Sequence, residues 1–248
     1  MRKIAVALSK GGVGKTTTAV NLAAGLADLG ARVLLVDMDT QGQVAKALGM
    51  KPKSGLADLV SNLTGVDRAV VQARDSLWLL AGGRDLVGLK REIARKDFGG
   101  ERTVGDALDQ LNGRYDYVIL DTAPGWDTLT INALFYVTEV IAPVALEAMA
   151  LQGLREFGVS MAAIQRYHQQ LSLSYILPTF MDGRVKKSQQ IYDSLLENYH
   201  DRVCEPIRYN VKLSEAPGLG KTIFEHAPRS VGAENYRALV ARVVGDEA

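Results

Sequence analysis

Ser9-Lys10-Gly11-Gly12-Val13-Gly14-Lys15-Thr16-Thr17 follows a short apolar run, Ile4 to Leu8, and opens a helix-forming segment, Thr16 to Leu29. Strand, glycine loop and helix in that order are the context of a phosphate-binding loop. The glycines let backbone N–H groups turn toward an anion with no Cβ in the way. The first turn of the helix adds free N–H groups and the positive end of its dipole. In such a loop Gly11, Gly12, Val13, Gly14 and Thr17 cradle phosphate, Lys15 reaches the β- and γ-phosphates, and the Thr16 hydroxyl ligates Mg²⁺. Two departures stand out. The usual pattern has glycine where Ser9 stands, and a second lysine, Lys10, sits just inside the loop. A loop already served by Lys15 has little local use for another cation, so Lys10 is expected to act on something else.

The composition fits this reading without sharpening it. A chain of 248 residues with 47% hydrophobic and 23% charged residues can bury a sizeable core. The net charge is +1, so any nucleic-acid binding must come from a local patch. The single cysteine, Cys204, excludes an internal disulfide and suits a reducing compartment. The histidines His168, His200 and His226 are scattered, with no zinc spacing. No segment reaches the ~20 apolar residues of a membrane span, and the apolar run after Arg2 and Lys3 is too short for a secretion signal. A cytoplasmic protein is expected.

Ile4–Leu8, Val33–Val36, Leu77–Leu80, Tyr117–Leu120, Val140–Val144 and Tyr175–Leu177 read as buried strands. Thr17–Leu29, Leu151–Gln170 and Lys187–Tyr199 read as amphipathic helices, and Asp85–Gln110 as a charged, helical elaboration. Lys51–Gly55 and Ala81–Arg84 read as loops. Continuous apolar strands separated by helices predict an α/β fold, a mostly parallel sheet covered on both faces, as one domain over residues 1–248. In such folds ligands bind at the carboxyl ends of the strands.

The acidic residues follow that rule. Val33-Leu34-Leu35-Val36 runs into Asp37-Met38-Asp39, two carboxylates that face the same way if the chain stays extended. Asp39 could then orient an attacking water, and Asp37 could stand in the second shell of Mg²⁺. Tyr117-Val118-Ile119-Leu120 ends in Asp121, which matches the Walker B carboxylate that holds Mg²⁺.

Together these motifs resemble the ParA/MinD ATPases, a SIMIBI-class family with a deviant Walker A box. Lys10-Gly11-Gly12-Val13-Gly14-Lys15-Thr16-Thr17 is similar to that box, and Asp121-Thr122-Ala123-Pro124 to the family's Walker B. Asp37-Met38-Asp39-Thr40-Gln41-Gly42 resembles the second motif, with Thr40 in place of the usual proline. Ile176-Leu177-Pro178-Thr179, Asn210-Val211-Lys212-Leu213-Ser214-Glu215-Ala216-Pro217 and Gly232-Ala233-Glu234-Asn235-Tyr236 resemble late segments of Soj-like partition proteins of chromosomes and plasmids.

The resemblance implies a P-loop fold and an ATP-bound sandwich dimer in which Lys10 reaches the partner's phosphates. It implies slow ATP hydrolysis stimulated by a ParB-like partner, with Lys10, Lys15 and Asp39 in the catalytic roles. It implies an adenine pocket around Asn210; where the family usually reads Ile-Pro-Arg-Asn, this chain has Ile207-Arg208-Tyr209-Asn210. The Arg208 guanidinium or the Tyr209 ring could stack on the base. It also implies non-specific DNA binding by the ATP dimer on the nucleoid, to move a plasmid, a chromosome origin or a protein cargo. Arg184, Lys186, Lys187, Lys212 and Lys221 are the candidate phosphate contacts. The chain opens on its first strand, so no amino-terminal operator-reading domain is expected.

Three alternatives remain at this level. MinD-like relatives carry a basic amphipathic terminal helix for membranes. Here Tyr236, Leu239, Val240, Val243 and Val244 form a helical stripe that more often packs into a core, and the tail Gly245-Asp246-Glu247-Ala248 is acidic. Metabolic enzymes share the scaffold, but a bridging iron–sulfur cluster needs two cysteines per subunit. A nucleotide-gated scaffold without turnover would not need the carboxylates of Asp39 and Asp121.

Overall fold

The protein is described by a computed structural model covering residues 1–246. The amino-terminal half runs β1 (Arg2–Val6), α1 (Lys15–Asp28), β2 (Val33–Asp37), α2 (Gln43–Ala47), α3 (Leu56–Val60), α4 (Val66–Ala69), β3 (Val70–Arg74), β4 (Leu77–Leu80), α5 (Leu86–Ala94) and α6 (Thr103–Leu108). The second half runs β5 (Tyr117–Asp121), α7 (Thr128–Tyr136), β6 (Glu139–Ala145), α8 (Ala150–Gln165), β7 (Ser172–Thr179), α9 (Lys186–Tyr199), α10 (Val211–Glu215), α11 (Ile223–His226) and α12 (Val231–Gly245). Among the described residues seven strands form one sheet in the order β3-β4-β2-β5-β1-β6-β7. All neighbours are parallel except β3, which runs against β4.

The expected α/β architecture is therefore present, and the reason is the one the strand composition predicts. Successive residues of each central strand feed two different cores. Ala5, Leu34, Val36, Val118 and Leu120 meet α3, α5, α7 and α8, whereas Ile4, Val6, Val33, Leu35 and Ile119 meet α1 and α12. A strand covered on both faces has no polar side, so it reads as an unbroken apolar run.

Two details differ from the expectation. The first strand begins at Arg2, two residues early, because Arg2 lies along the sheet and binds Glu139 with its guanidinium. β3 was not expected: Val70-Val71-Gln72-Ala73-Arg74 is a half-exposed edge with a bulge between Gln72 and Arg74, so its side chains do not alternate cleanly. The stretch Asp85–Gln110 is helical as expected, built of two helices with short helical turns.

The stripe on α12 is core. Tyr236, Leu239, Val240 and Val243 are buried against α1 and its neighbours, and Val244 is half-buried. The helices approach so closely that a Cβ on Gly25 of α1 would lie 2.6 Å from Val240 Cγ2. Asp246 pairs with Arg242; the tail residues Glu247 and Ala248 lie outside the described residues. No helix among the described residues is long and apolar enough to cross a membrane. Leu239→Ala should lower unfolding stability by about 2–5 kcal/mol in urea titrations; a loss below about 1 kcal/mol would show that α12 is not built into the core.

Candidate nucleotide-binding site

The chain leaves β1 into the glycine loop at the middle of the sheet. Gly12 and Gly14 both adopt left-handed backbone conformations, with φ of 73° and 91°. Any other residue would be strained at these turns. Gly14 caps α1, and its carbonyl accepts the Thr18 N–H at 2.9 Å. Two further contacts hold the loop in place: Gly125 N–H donates to Ser9 O at 2.9 Å, and the Thr179 hydroxyl donates to Val13 O at 2.9 Å.

The two lysines diverge. Lys15 is only 7% exposed and folds back so that Nζ donates to the Lys10 carbonyl at 2.8 Å. Burial lowers its pKa, while the charges of Asp121 and Asp39 oppose that drop. Lys10 points away from the loop and pairs with Glu147 Oε1 at 2.6 Å on the partly exposed turn after β6.

The carboxylates hold different posts from those an extended chain would give them. Asp37 ends β2 fully buried; its Oδ1 accepts the Asp39 N–H at 2.9 Å and its Oδ2 the Val44 N–H at 3.1 Å. These bonds fold residues 38–44 into a turn, so Asp37 points into the protein while Asp39 sits half-buried at the mouth. Both Asp37 oxygens are engaged in shaping the loop, and the Asp39 charge bears on Lys15, Asp37 and Asp121. Burial pushes the Asp37 pKa up to about 6 against those two bonds. Asp39 Oδ1 accepts Gln41 N–H at 3.0 Å, closing a tight side-chain turn.

Asp121 ends β5 directly beside Asp37 in the ladder. It is fully buried, and neither carboxylate oxygen has a partner at hydrogen-bond geometry. Burial and the Asp37 charge raise its pKa well above the carboxylate range, while the nearby Thr16 hydroxyl and Lys15 pull it back down. An orphaned buried carboxylate beside a hydroxyl is a fitting donor set for a hard cation. Among the described residues no three His, Cys, Asp or Glu side chains form a metal cluster. That pattern suits Mg²⁺, which takes one or two protein oxygens and completes its shell from phosphate and water.

Beside Gly14 and Thr17 a cavity of about 220 Å³ opens between β7 and α10, with Arg208, Asn210 and Tyr236 in its wall. Asn210 Oδ1 caps α10 by accepting Lys212 N–H at 2.9 Å, and Arg208 N–H donates to Asn235 Oδ1 at 3.1 Å. Tyr209 N–H donates to Met181 O, which brings the 181–187 turn alongside Arg208 and Lys212. Arg184 there is clamped by Asp182, Lys212 pairs with Glu215, and Lys186 and Lys187 open α9. Lys221 lines another cavity with Thr16, Gln43 and Lys46. Glu147 has no local motif, because it meets Lys10 from beyond a distant strand end; Thr179 lies in a family-like segment, but its bond to Val13 depends on a distant loop.

Residues 1–173 match the family described as AAA domain. The chain is 41% identical to the chromosome-partitioning ATPase Soj of Thermus thermophilus, covering 98% of this chain and 96% of that one. It belongs to the Soj/ParA family. The chromosome partitioning protein ParA of Caulobacter vibrioides is 34% identical, covering 100% and 95%. Among solved structures, cobyrinic acid a,c-diamide synthase of Mycobacterium smegmatis, with bound ADP and magnesium, superposes with a TM-score of 0.85 at 30% identity, covering 98% and 94%. The same fold is thus shared by proteins named for different activities.

Asp37 and Asp121 have raised pKa values, so the proton-bound forms favour the folded chain. That contribution is complete below the ordinary carboxylate range and is lost as pH rises through about 6 for Asp37, and as Asp121, also raised, ionises. Asp121→Asn should stabilise the ligand-free protein by about 1–3 kcal/mol at about pH 8 and by less at about pH 5. Urea unfolding at the two pH values checks it; an equal or negative effect at high pH would overturn the reading of an uncompensated carboxylate.

Proposed function

We propose that this chain is a ParA-like ATPase that dimerises on ATP, binds DNA non-specifically as the dimer, and hydrolyses ATP when a ParB-like partner stimulates it. The observation that carries the reading is the meeting of a buried Lys15 with an orphaned Asp121 under a left-handed glycine loop. That arrangement is built to take up a polyphosphate with its cation. Lys15, Thr16 and the loop amides of Gly11 to Thr17 hold phosphate, and Thr16 with Asp121 holds Mg²⁺. Bound Mg²⁺ neutralises charge on the β- and γ-phosphate oxygens. Asp37 acts through the backbone, setting the turn that presents Asp39, and Asp39 orients the attacking water.

Adenine occupies the cavity beside Thr17, near Arg208 and Asn210. Lys10, pointing out of its own loop, is free to serve the phosphates of a second copy. DNA phosphates meet Arg184, Lys186, Lys187 and Lys212, which a two-fold dimer doubles; Lys221, lining one cavity with Lys46, is a further candidate. The nucleoid is then the site of action, and the cargo is a plasmid, a chromosome origin or a protein assembly. The metabolic alternative draws on the diamide synthase likeness, but the identity to the partition ATPase is higher, 41% against 30%. The membrane alternative loses its anchor, because the α12 stripe is buried.

Lys10→Ala should keep ATP affinity within about twofold yet fail to dimerise in light scattering, whereas Asp39→Ala should hold the ATP dimer and stop turnover. Lys10→Ala that still dimerises with ATP would remove the cross-subunit role. Arg184→Ala should weaken retention on unrelated DNA sequences alike and reduce the log–log salt slope by about 1 per site lost. Unchanged DNA affinity with and without ATP would sink the switch.

A further inference from the structure

Helix α5 is bonded to the loops that follow both carboxylate strands, β2 and β5. Gly83 N–H, in the turn before the helix, donates to Asp39 O at 3.0 Å. Gly82 is pressed so closely on the same loop that a Cβ there would lie 2.6 Å from Asp37 O and 2.8 Å from Asp39 O. Midway along the helix Lys90 Nζ pairs with Asp127 Oδ2 at 2.8 Å. Asp127 ends the loop after Asp121, and Gly125 in that loop donates its N–H to Ser9 O at 2.9 Å.

The two faces of α5 differ in kind. Leu86, Leu89 and Ile93 are buried. At 3.6 residues per turn, Arg84, Gly88, Arg91 and Arg95 stand opposite them, and all four are exposed. None of the three guanidinium groups has a hydrogen bond or ion pair among the described residues. The acids Asp85 and Glu92 lie off this face, and Glu92 accepts the Ser61 hydroxyl at 3.4 Å, toward α3. Gly88 is the odd member, because glycine inside a helix is destabilising relative to alanine. Its backbone is not left-handed, and a Cβ there would meet no described atom within 4 Å. Nothing in this chain calls for a glycine, but its missing side chain lets another chain approach the helix between the arginines. Just past the helix Phe98 is 93% exposed and belongs to neither apolar core.

We propose that the outer face of α5 is a docking surface for an acidic protein segment with an aromatic anchor: its carboxylates pair with Arg91 and Arg95 beside the Gly88 gap, and the anchor packs on Phe98. Unpaired arginines along one face match a row of carboxylates, and a ring held in water matches an apolar partner. The phosphates of duplex DNA would use the cations and leave the ring idle. The basic turn after β7 is also remote in the fold: α5 follows β4, near one edge of the sheet, and β7 forms the other edge. A segment seated on α5 lies one helix diameter, about 10 Å, from the bonds to Asp39 and Asp127. Its arrival is therefore felt at the loops of the site. The surface rests on the partner-stimulated reading given above and adds the partner's chemistry to it.

Fluorescence anisotropy of the full chain with labelled polyglutamate, a glutamate–tyrosine copolymer and a DNA duplex tests the surface, with ATP turnover measured alongside. Wild type should bind the copolymer at least about threefold more tightly than polyglutamate. Arg91→Gln with Arg95→Gln should lose copolymer affinity by about tenfold, while duplex binding and basal turnover stay within about twofold. Phe98→Ala should bring the two polymers within about twofold of each other. Gly88→Gln should raise the melting temperature yet weaken the copolymer, a loss that unfolding does not produce. The copolymer should raise turnover by about twofold or more in wild type and not in the double variant. Unchanged copolymer affinity in the double variant overturns the docking face, and a loss confined to the duplex makes it a nucleic-acid surface instead. A copolymer that binds without altering turnover overturns the link to the site. A wild-type chain that hydrolyses no ATP overturns the reading given above and not the docking face, which anisotropy measures without ATP.

Discussion

Asp37 and Asp121 end neighbouring parallel strands at the same level of the sheet, both shielded from water. The Asp37 charge raises the proton affinity of Asp121, and the Thr16 hydroxyl and Lys15 offset its burial only in part. Leaving a carboxylate uncompensated inside a protein costs several kcal/mol. A fold that keeps one there is stabilised by whatever positive charge arrives. Lys15 supplies part of that charge, but it is itself buried and donates to the Lys10 carbonyl. The ligand-free site is thus electrostatically incomplete, and a cation with its polyphosphate is the complement that closes it.

The sheet order makes this juxtaposition possible. β1 lies between β5 and β6, and β5 lies between β1 and β2, so the glycine loop, Asp37 and Asp121 emerge together from the middle of the sheet. Each emerging loop is then locked to another rather than to its own element. Gly125 binds Ser9, Thr179 binds Val13, and Thr122 binds the Val6 carbonyl through its hydroxyl at 3.0 Å. The site is held by neighbouring strand ends, so movement of one loop is felt by the others.

What could be read from the sequence was the part whose causes are local. The glycine loop, its lysines and the aspartate after an apolar strand are short motifs with their chemistry on display, and double-sided burial leaves unbroken apolar strands. What could not be read depended on distant partners. The β3 edge is too short and half-exposed to alternate. The i, i+2 spacing of Asp37 and Asp39 does not reveal that the Asp37 carboxylate accepts the Asp39 and Val44 N–H groups and so shapes the turn. That Lys221 and Lys46 line one cavity depends on chain segments far apart in sequence. The turn after β7, at Phe180, is set by bonds to residues 13, 146 and 207, none of them near in sequence.

The different fates of Lys10 and Lys15 follow from burial. Lys15 is desolvated beside the charges of Asp121 and Asp39 and is tied to the Lys10 carbonyl. Lys10 is held only by a partly exposed pair with Glu147, with side chains 37% and 59% accessible. Such pairs contribute about 0–1 kcal/mol and weaken with salt. A polyphosphate presents several anionic oxygens where Glu147 presents one carboxylate, so it outcompetes that weak tether once it comes within reach. In the proposed dimer the weakness of the Lys10–Glu147 pair is therefore what lets the same side chain be stored in one subunit and used in the other.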